Sequence, residues 1–526
     1  MTITGNMLIG RADVRGTDAE LHALDPATNR LIEPSFGGGG AAEVERACQL
    51  AAEAFDEYSH TGPEERACFI EGIAGNLETQ AGAIVARCML ETGLAHERLA
   101  AELSWTVGQL RMFAAVIRQG LWRDATIDPA DPDRQPTPRP DLRMHKVALG
   151  PVAVFGASNF PLLYSVAGGD TASALASGCP VIVKAHGAHL GTSELVGRAI
   201  RKAAADAGFP EGVFSLLIGA GNEVGEALVD HPEIKAVAFT GSETGGMALV
   251  RRGQRRPEPI PVFAEMTSVN PHFLLPHAQA TRAAAFAKRF VEQMTAGAGQ
   301  MCLKPGMILA IDGEGFDVLR ESLRTALSAV AAQTMLTPNI HHAYERGVED
   351  QRSLPGVSEL AHGAGAQKTF EGQAHIFEID AAAVIDHMAL TEEVFGPAAI
   401  LIRCASVAQM QTIALNLGGQ LSIVLHADAN DVDVARMLLP AFERKTGRIV
   451  ANGFSNIVEI SDAQIHGGPF PATSDPRFTS VGSTAINRFL RPVSYQNFPA
   501  ELLPPALRDD NPLNLWRLRD KLPGRV

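Results

Sequence analysis

Val152-Ala-Val-Phe155 opens a stretch, ending at Val237-Ala-Phe239, in which short apolar runs alternate with helical segments. Two more runs and two helix-like segments lie between these ends: Val181-Ile-Val183, Val213-Phe-Ser-Leu-Leu-Ile218, 171–177 and 193–207. Strands buried on both faces are continuous apolar runs rather than alternating ones. Strands of this kind that alternate with helices predict a parallel sheet with helices on both faces, which is an α/β fold.

A second alternating region begins near Asn270 and ends near Asn452. Its apolar spacing predicts two helices, over 283–295 and 316–332, and three strands, over 398–402, 422–425 and 448–450. The chain has 526 residues, which is too long for one simple hydrophobic core. We therefore expect a second α/β lobe.

Three flanking segments have different compositions. Residues 41–118 are rich in Ala, with apolar residues at helical spacing, and predict a layer of helices. Residues 128–140 contain five prolines, which disfavour helix interiors and central strands, so we expect a linker or an extended arm. Residues 489–526 show little periodicity and are expected to pack on another subunit.

Composition limits the classes of function. The formal net charge of −14 gives no general attraction to nucleic acid or to an anionic membrane. The N-terminus lacks a secretory signal, and no apolar stretch is long enough to span a bilayer, so a cytoplasmic location is expected. The six cysteines form no CxxC pair, which argues against a zinc cluster or a disulfide framework.

Three short motifs offer groups that could do chemistry together. Gly299-Gln-Met-Cys302 places a lone thiol in a loop of small residues, where backbone N–H groups can approach a substrate. Phe263-Ala-Glu265 places a carboxylate in an apolar context, where burial is expected to raise its pKa towards neutrality and make it a general base. Phe155-Gly-Ala-Ser-Asn159 offers an amide N–H that can stabilise an oxyanion. Each motif alone also fits an ordinary structural residue.

The order of these and further motifs along the chain resembles the aldehyde dehydrogenase superfamily over nearly its whole length. The segments that carry the resemblance are Ser158-Asn-Phe-Pro161, Val183-Lys-Ala-His186, Phe239-Thr-Gly-Ser242 with Gly246, Glu265, Gly299-Gln-Met-Cys302, Glu393-Val-Phe-Gly-Pro397 and Val450-Ala-Asn-Gly453. The resemblance implies a Rossmann-like cofactor domain, an α/β catalytic domain and a small β arm for oligomerisation. Residues 1–125 and 151–265 would form the first, 266–465 the second, and 126–150 with 466–526 the third.

The resemblance also implies a role for each catalytic residue. Cys302 would attack the aldehyde carbon, since a thiolate is both a strong nucleophile and a workable leaving group. The Asn159 side chain and the Cys302 backbone N–H would hold the oxyanion. Glu265 would activate the water that hydrolyses the thioester. This scheme requires no metal.

A nicotinamide cofactor is implied in the same way. Gly241, Ser242 and Gly246 would form the pyrophosphate loop, Lys184 and Glu393 would bind the riboses, and Phe395 would support the nicotinamide. Relatives that prefer NAD often carry a Glu where this chain has Gly187. Without that carboxylate, and with Lys184 and His186 nearby, NADP is favoured, with NAD as the alternative.

Substrate preference is predicted from the segment 466–482, which is similar to that of a subgroup acting on 2,5-dioxopentanoate or on long-chain fatty aldehydes. We expect the dioxo acid, with the fatty aldehyde as the alternative. The expected substrate-binding residues are Phe160, Leu163, Tyr164, Met301, Leu303, Gly453 and Arg477. Arg477 is expected either to pair with a substrate carboxylate or to be structural.

Other interpretations of the same motifs lead to other functions. A non-catalytic protein of this fold is disfavoured by the presence of Cys302, Glu265 and Asn159 together. An enzyme that transfers the acyl group to CoA is disfavoured by Glu265, and esterase activity of the same thiol is expected only as a side reaction. The resemblance implies a homodimer or homotetramer, built through segments 141–149 and 491–497.

Overall fold

The computed structural model describes residues 2–386 and 392–525. Its helices, in chain order, are α1 (Ala41–Ser59), α2 (Pro63–Thr79), α3 (Ala81–Thr92), α4 (His96–Gln119), α5 (Gly169–Ser177), α6 (Leu190–Asp206), α7 (Glu223–Asp230), α8 (Glu243–Arg255), α9 (Pro276–Thr295), α10 (Phe316–Ser328), α11 (Pro338–Arg352), α12 (Ala381–Asp386), α13 (Val407–Asn416) and α14 (Val432–Lys445).

The strands, in chain order, are β1 (Met7–Ile9), β2 (Ala12–Val14), β3 (Ala19–Asp25), β4 (Arg30–Gly38), β5 (Thr126–Asp128), β6 (Leu142–Ala148), β7 (Val152–Phe155), β8 (Val181–Lys184), β9 (Phe214–Leu217), β10 (Ala236–Thr240), β11 (Val262–Glu265), β12 (Pro271–Leu274), β13 (Met307–Ile311), β14 (Gln333–Thr334), β15 (Ser358–His362), β16 (Glu371–Gly372), β17 (His375–Asp380), β18 (Ala398–Cys404), β19 (Ile423–His426), β20 (Ile449–Ala451), β21 (Leu490–Gln496), β22 (Arg517–Arg519) and β23 (Leu522–Gly524).

The first large sheet has the order β11-β10-β7-β8-β9-β1-β2. The five strands from β11 to β9 are parallel, and β1 and β2 add an antiparallel edge. All four residues of β9 are buried, which explains why its sequence is a continuous apolar run. The α/β prediction from the alternation of runs and helices is therefore confirmed.

The second large sheet has the order β15-β17-β18-β13-β12-β19-β20 and is parallel except for β15. The second predicted lobe is confirmed, although two helix limits were wrong. The helix predicted to begin at residue 283 begins at Pro276, because proline is well tolerated in the first turn of a helix. The helix predicted to end at 332 ends at Ser328, and strand β14 begins at Gln333.

The helical layer predicted over 41–118 is confirmed as α1 to α4. Segments 126–148 and 490–524 come together in a five-stranded sheet of order β21-β6-β5-β22-β23. The C-terminal segment therefore has strands that its weak periodicity did not predict, because their pairing with β5 and β6 is set by contacts distant in sequence. No helix in the described part of the chain is long and apolar enough to cross a membrane.

The junction between the large sheets determines where chemistry can occur. Strands β7, β10 and β11 of the first sheet end at Phe155, Thr240 and Glu265, on one edge. Ligands of open parallel sheets bind beyond the carboxyl ends of the strands. The loop before β13 of the second sheet, which contains Cys302, faces this edge across one cavity.

Candidate active site

The loop between α9 and β13 holds Cys302 in place by its backbone geometry. Gly297, Ala298 and Gly299 have φ angles of 59°, 55° and 65°, in the left-handed region. A Cβ atom on Gly299 would lie 2.4 Å from the carbonyl carbon of Gly396, so only glycine fits there. The Asn270 side-chain amide donates a hydrogen bond to the carbonyl oxygen of Cys302 at 2.8 Å, which fixes the peptide of this residue.

Cys302, His466 and Glu265 form a connected group. The His466 Nε2 atom lies 3.5 Å from Cys302 Sγ and 2.9 Å from Glu265 Oε1. The Ser480 hydroxyl donates to the other oxygen of Glu265 at 2.9 Å. The thiol, the imidazole and the carboxylate are thus close enough for a proton to pass among them.

Charge and burial act differently on the thiol and on the carboxylate. Burial, together with the negative charge of Glu265, raises the pKa of Cys302 well above its ordinary value. Burial also acts to raise the pKa of Glu265, but the interactions with His466 and Ser480 outweigh it and the pKa is lowered. The expectation that burial raises the Glu265 pKa towards neutrality was therefore wrong, because burial came with polar partners.

His466 is a site residue that the sequence analysis missed. No local pattern marks it as such, because it lies 164 residues after Cys302 and 201 residues after Glu265. The imidazole is 1% exposed and stacks on the ring of Tyr164, with centroids 6.0 Å apart. The backbone N–H of His466 donates to the Thr479 hydroxyl at 2.8 Å, so both the backbone and the ring of His466 are held in place.

Asn159 lies on the same cavity as Cys302 and Glu265, which has a volume of about 1050 Å³. Its Nδ2 atom donates to the Gln300 carbonyl oxygen at 3.0 Å, which holds the amide beside the nucleophile loop. The second N–H of that amide is available to another acceptor. The three residues predicted to carry the chemistry are thus brought together from strands and loops of both sheets.

The same cavity extends to the residues predicted to bind a cofactor. Those that line it are Lys184, His186, Gly241, Ser242, Glu393 and Phe395. Ser242 caps the 13-residue helix α8, its hydroxyl accepting from Gly245 N at 3.2 Å. The backbone N–H groups at the start of this helix can donate hydrogen bonds to phosphate oxygens, so the residues present fit a dinucleotide.

Gly246 and Gly187 are placed differently from the other predicted cofactor residues. Gly246 lies inside α8 and is buried, where a Cβ atom would lie 2.7 Å from Met266 Cγ, so it allows the helix to pack closely. Gly187 is exposed, and a Cβ atom on it would meet no other atom within 4 Å. Neither residue lines the cavity, and their roles in binding stay predictions.

His186 does not supply the positive charge that the sequence suggested. Burial lowers its pKa to about 3, with smaller contributions from His189 and Lys184. Its Nδ1 atom accepts a hydrogen bond from Ala188 N at 3.1 Å, which leaves Nε2–H as a donor. The imidazole is therefore neutral near pH 7, and Lys184, which lines the same cavity, has its own pKa lowered by burial.

Glu393 is held by contacts on both sides of the cavity. Its carboxylate accepts hydrogen bonds from the Thr267 hydroxyl at 2.8 Å and from Ser268 N at 3.3 Å. The buried Lys304, whose pKa burial lowers to about 8, donates to the carbonyl oxygens of Val394 at 3.0 Å and Ala398 at 2.7 Å. Lys304, another residue that the sequence analysis missed, thereby fixes the segment that carries Glu393 and Phe395.

Comparison with known proteins agrees with this geometry. Residues 14–461 match the family described as "Aldehyde dehydrogenase family". The chain is 53% identical over 521 residues to alpha-ketoglutaric semialdehyde dehydrogenase 2 of Azospirillum brasilense, with 99% of each chain covered. It is 45% identical over 477 residues to alpha-ketoglutaric semialdehyde dehydrogenase of Acinetobacter baylyi, with 90% of each covered.

This chain belongs to the aldehyde dehydrogenase family. Solved structures agree on the fold. A mutant of aldehyde dehydrogenase C of Pseudomonas syringae, in complex with NAD+ and octanal, superimposes with a TM-score of 0.80 at 21% identity, covering 94% of this chain and 97% of that one. Betaine aldehyde dehydrogenase of Staphylococcus aureus, with NAD+, gives 0.81 at 19% identity and the same coverage. As a family member, the chain oxidises aldehydes with a nicotinamide cofactor.

Several residues predicted to bind the aldehyde lie around Cys302. Phe160, Leu163 and Met301 form a small buried cluster against which Tyr164 and Cys302 pack. Leu303 lies on the other side, in a cluster with Leu421 and Ala472 that also contacts Cys302. Trp105 of α4 joins the first cluster. No motif marks Trp105 as a site residue, because the apolar spacing of its helix predicts only a packing layer.

Neither Gly453 nor Arg477 is among the described residues that line the cavity containing Cys302. Gly453 follows β20, where the atom nearest to an added Cβ would belong to Val450. The guanidinium of Arg477 binds Asp475, two residues earlier, and its side chain is 77% exposed. These contacts favour the structural role of Arg477 that the sequence analysis left open, and substrate binding by either residue stays a prediction.

Proposed function

We propose that this protein oxidises 2,5-dioxopentanoate, also called α-ketoglutaric semialdehyde, to 2-oxoglutarate. The observation that carries the proposal is the Cys302–His466–Glu265 group at the edge of a cavity that fits a dinucleotide. Support for this aldehyde comes from the two relatives at 53% and 45% identity, both of which bear the name of that activity.

The first step of the proposed reaction is attack by sulfur on the aldehyde carbon. The Cys302 thiol, with its raised pKa, gives its proton to the Glu265–His466 pair as the C–S bond forms. The Asn159 amide and the Cys302 backbone N–H stabilise the negative charge that develops on oxygen. The product of this step is a thiohemiacetal on Cys302.

The second half of the reaction releases the acid. A bound oxidised nicotinamide supplies the acceptor for two electrons and the hydrogen of the aldehyde carbon. The resulting thioester is then hydrolysed: Glu265 takes a proton from water, the hydroxyl adds to the carbonyl carbon, and the C–S bond breaks to restore the thiol. One aldehyde and one water thus yield one carboxylic acid, a reduced cofactor and a proton.

NADP is the cofactor we propose, with NAD as the alternative. At position 187 this chain has no carboxylate that would repel a 2′-phosphate, and the space beside the Gly187 Cα atom is open. Lys184 lines the cavity as a nearby cation, whereas the neutral His186 offers only a hydrogen-bond donor. The ratio of kcat/KM for the two cofactors measures this preference.

A second candidate substrate is a long-chain aldehyde. It is favoured by the apolar residues around Cys302, namely Phe160, Leu163, Met301 and Trp105. An aldehyde that lacks a charge gains about 0.8 kcal/mol per buried CH₂ in such surroundings. A preference for octanal or decanal over 2,5-dioxopentanoate would support this candidate.

The test of function is reduced-cofactor formation with NADP+ or NAD+ and 2,5-dioxopentanoate, succinic semialdehyde or decanal. We expect the dioxo acid to have the highest kcat/KM and Cys302→Ala to abolish turnover. Glu265→Gln is expected to give a burst of one reduced cofactor per subunit and then stop, because the thioester persists. Unchanged turnover on adding CoA would distinguish hydrolysis from CoA acylation, and no reduction of either cofactor would contradict the proposal.

We also propose that the chain is a cytoplasmic homodimer or homotetramer that associates through the sheet β21-β6-β5-β22-β23. Apolar side chains of this region are exposed in the single chain, including Trp516 at 45%, Leu518 at 41% and Leu522 at 71%. In the proposed division, this arm comprises 126–150 and 466–526, the cofactor domain 1–125 and 151–265, and the catalytic domain 266–465. Native mass measurement, with Leu522→Asp as the disrupting variant, tests the assembly.

A further inference from the structure

A substrate with a carboxylate at the end opposite its aldehyde needs a cation near the nucleophile. Burying an ionised carboxylate without a partner is costly, and arginine is the residue best suited to pair with one. This requirement rests on the proposed function. The candidates for this cation are the arginines around Cys302, His466 and Tyr164.

Most arginines near the site already have carboxylate partners. Arg98, whose guanidinium lies 4.3 Å from the Phe160 ring centroid, pairs with the buried Glu102 at 3.1 Å. Arg488 pairs with Asp170 at 2.7 Å, and Arg477 pairs with Asp475. Each of these arginines would have to lose a protein carboxylate in order to gain a substrate carboxylate.

Arg448 follows a residue that packs on the His466 segment, and its partners differ from those of the other arginines. It directly precedes β20 and follows Gly447, which packs so closely on the His466 segment that an added Cβ would lie 2.4 Å from Gly467 O and 3.2 Å from Ile465 Cγ2. Its Nη1 atom donates to the carbonyl oxygens of Ser455 at 3.0 Å and Ile457 at 2.9 Å.

The segment that Arg448 holds also contacts the nucleophile loop. The Ser455 hydroxyl donates to Leu303 O at 3.5 Å, one residue after Cys302. Val458 and Cys302 pack on the same buried cluster. Arg448 is therefore next in sequence to a residue that packs on the His466 segment, and its guanidinium holds residues of a segment that touches the Cys302 loop.

The guanidinium of Arg448 retains capacity for an anion. Within residues 2–386 and 392–525, it forms no ion pair, and its hydrogen bonds go to backbone carbonyls through Nη1. The side chain is half-buried, which lowers its pKa, and an interaction with Tyr164 acts in the opposite direction. Tyr164 in turn stacks on His466.

We propose that Arg448 is the carboxylate-binding residue of the aldehyde site. Nη1 keeps its hydrogen bonds to the 455–457 segment. Nε and Nη2 then donate two parallel hydrogen bonds to the substrate carboxylate. The 5-carbon dioxo acid then lies between Arg448 and Cys302, with its aldehyde at the sulfur. The site thereby selects short aldehydes that end in a carboxylate over uncharged aldehydes of equal length.

The experiment compares two substrates, 2,5-dioxopentanoate and pentanal, across matched variants. For Arg448→Met we expect kcat/KM for the dioxo acid to fall by about 10- to 100-fold, as for the loss of hydrogen bonds to a charged group, with pentanal changed by less than about 2-fold. Arg448→Lys should restore part of the loss, because the charge remains but the paired geometry does not. The change should appear mainly in KM.

The control is Arg282→Met. Arg282 also donates to a backbone carbonyl, that of Ala427 at 2.9 Å, and to the Asn452 side chain at 3.1 Å. Arg282→Met is expected to leave the ratio of kcat/KM for the two substrates unchanged. Arg477→Met tests the competing arginine in the same assay. A shift of the ratio in Arg477→Met with none in Arg448→Met would overturn the proposal.

Two further outcomes separate this proposal from the proposed function. If Arg448→Met loses activity equally on both substrates, Arg448 only supports the 455–457 segment, and the carboxylate proposal is wrong while the function stands. If the wild-type enzyme prefers another carboxylated aldehyde, such as succinic semialdehyde, the same ratio is measured with that compound and butanal. If it oxidises only uncharged aldehydes, both proposals are wrong.

Discussion

His466 Nε2 lies 2.9 Å from Glu265 Oε1, although the two residues are 201 positions apart in the chain. The same nitrogen lies 3.5 Å from Cys302 Sγ, so the imidazole is placed between the base and the nucleophile. An imidazole next to a thiol and a carboxylate can relay a proton from one to the other. The pair therefore couples deprotonation of the thiol to the charge of Glu265.

Replacing His466 tests this coupling. His466→Phe keeps the stacking partner of Tyr164 but removes the nitrogen, and we expect kcat/KM to fall by about 100-fold or more, in the range of general-base catalysis. The pH profile of kcat/KM should also change, because Glu265 loses a partner that lowers its pKa. His466→Gln serves as the comparison that keeps a polar group. Equal activity and an unchanged profile in His466→Phe would show that the imidazole is only structural.

The raised pKa of Cys302 leads to a prediction about thiol reactivity. Burial is the larger cause, and the negative charge of Glu265 adds to it. Glu265→Gln removes that charge, so the Cys302 pKa should fall and alkylation by iodoacetamide should become fast at lower pH than in the wild type. The measurement is the alkylation rate against pH, with Cys302→Ala as the blank. An upward shift of the profile would contradict the charge argument.

Local patterns predicted elements and motifs in this chain, but not contacts between distant segments. The continuous apolar runs at β7, β8 and β10 follow from burial on both faces, and the motif around Cys302 carries its own glycines. His466, Lys304 and Trp105 reach the site only through the packing of the two sheets and α4, which no short-range pattern records. The lowered Glu265 pKa was mispredicted for the same reason, since its partners come from the last fifth of the chain.

Gly187→Glu should change the choice of cofactor. A carboxylate at this exposed position repels a 2′-phosphate and can accept hydrogen bonds from ribose hydroxyls. We expect KM for NADP+ to rise by about 10-fold or more, with a smaller change or a decrease for NAD+. Gly187→Gln is the uncharged control of the same size. Equal effects of both substitutions on the two cofactors would indicate crowding rather than charge.

Lys304 should matter for cofactor binding without touching the cofactor. Lys304→Met leaves the carbonyl oxygens of Val394 and Ala398 without their donor, at a cost of about 1–3 kcal/mol for each unsatisfied group. The segment that carries Glu393 and Phe395 then loses its anchor, so we expect a lower melting temperature and a higher KM for the cofactor. Lys288→Met, on the exposed face of α9, is the matched control. If Lys304→Met is less stable but keeps the wild-type KM for the cofactor, Lys304 does not affect cofactor binding.

Zinc should inhibit the enzyme through the catalytic group itself. One ligand atom each from Cys302, His466 and Glu265 lies within 4.8 Å of the others, and thiolate, imidazole and carboxylate are the ligands that Zn²⁺ prefers. Binding must displace the Cys302 proton, and because the pKa of that thiol is raised, this displacement becomes more favourable as the pH increases. We therefore expect inhibition that strengthens with increasing pH, is reversed by EDTA and is weakened in His466→Phe. If Zn²⁺ inhibits His466→Phe as strongly as the wild type, the ion binds elsewhere.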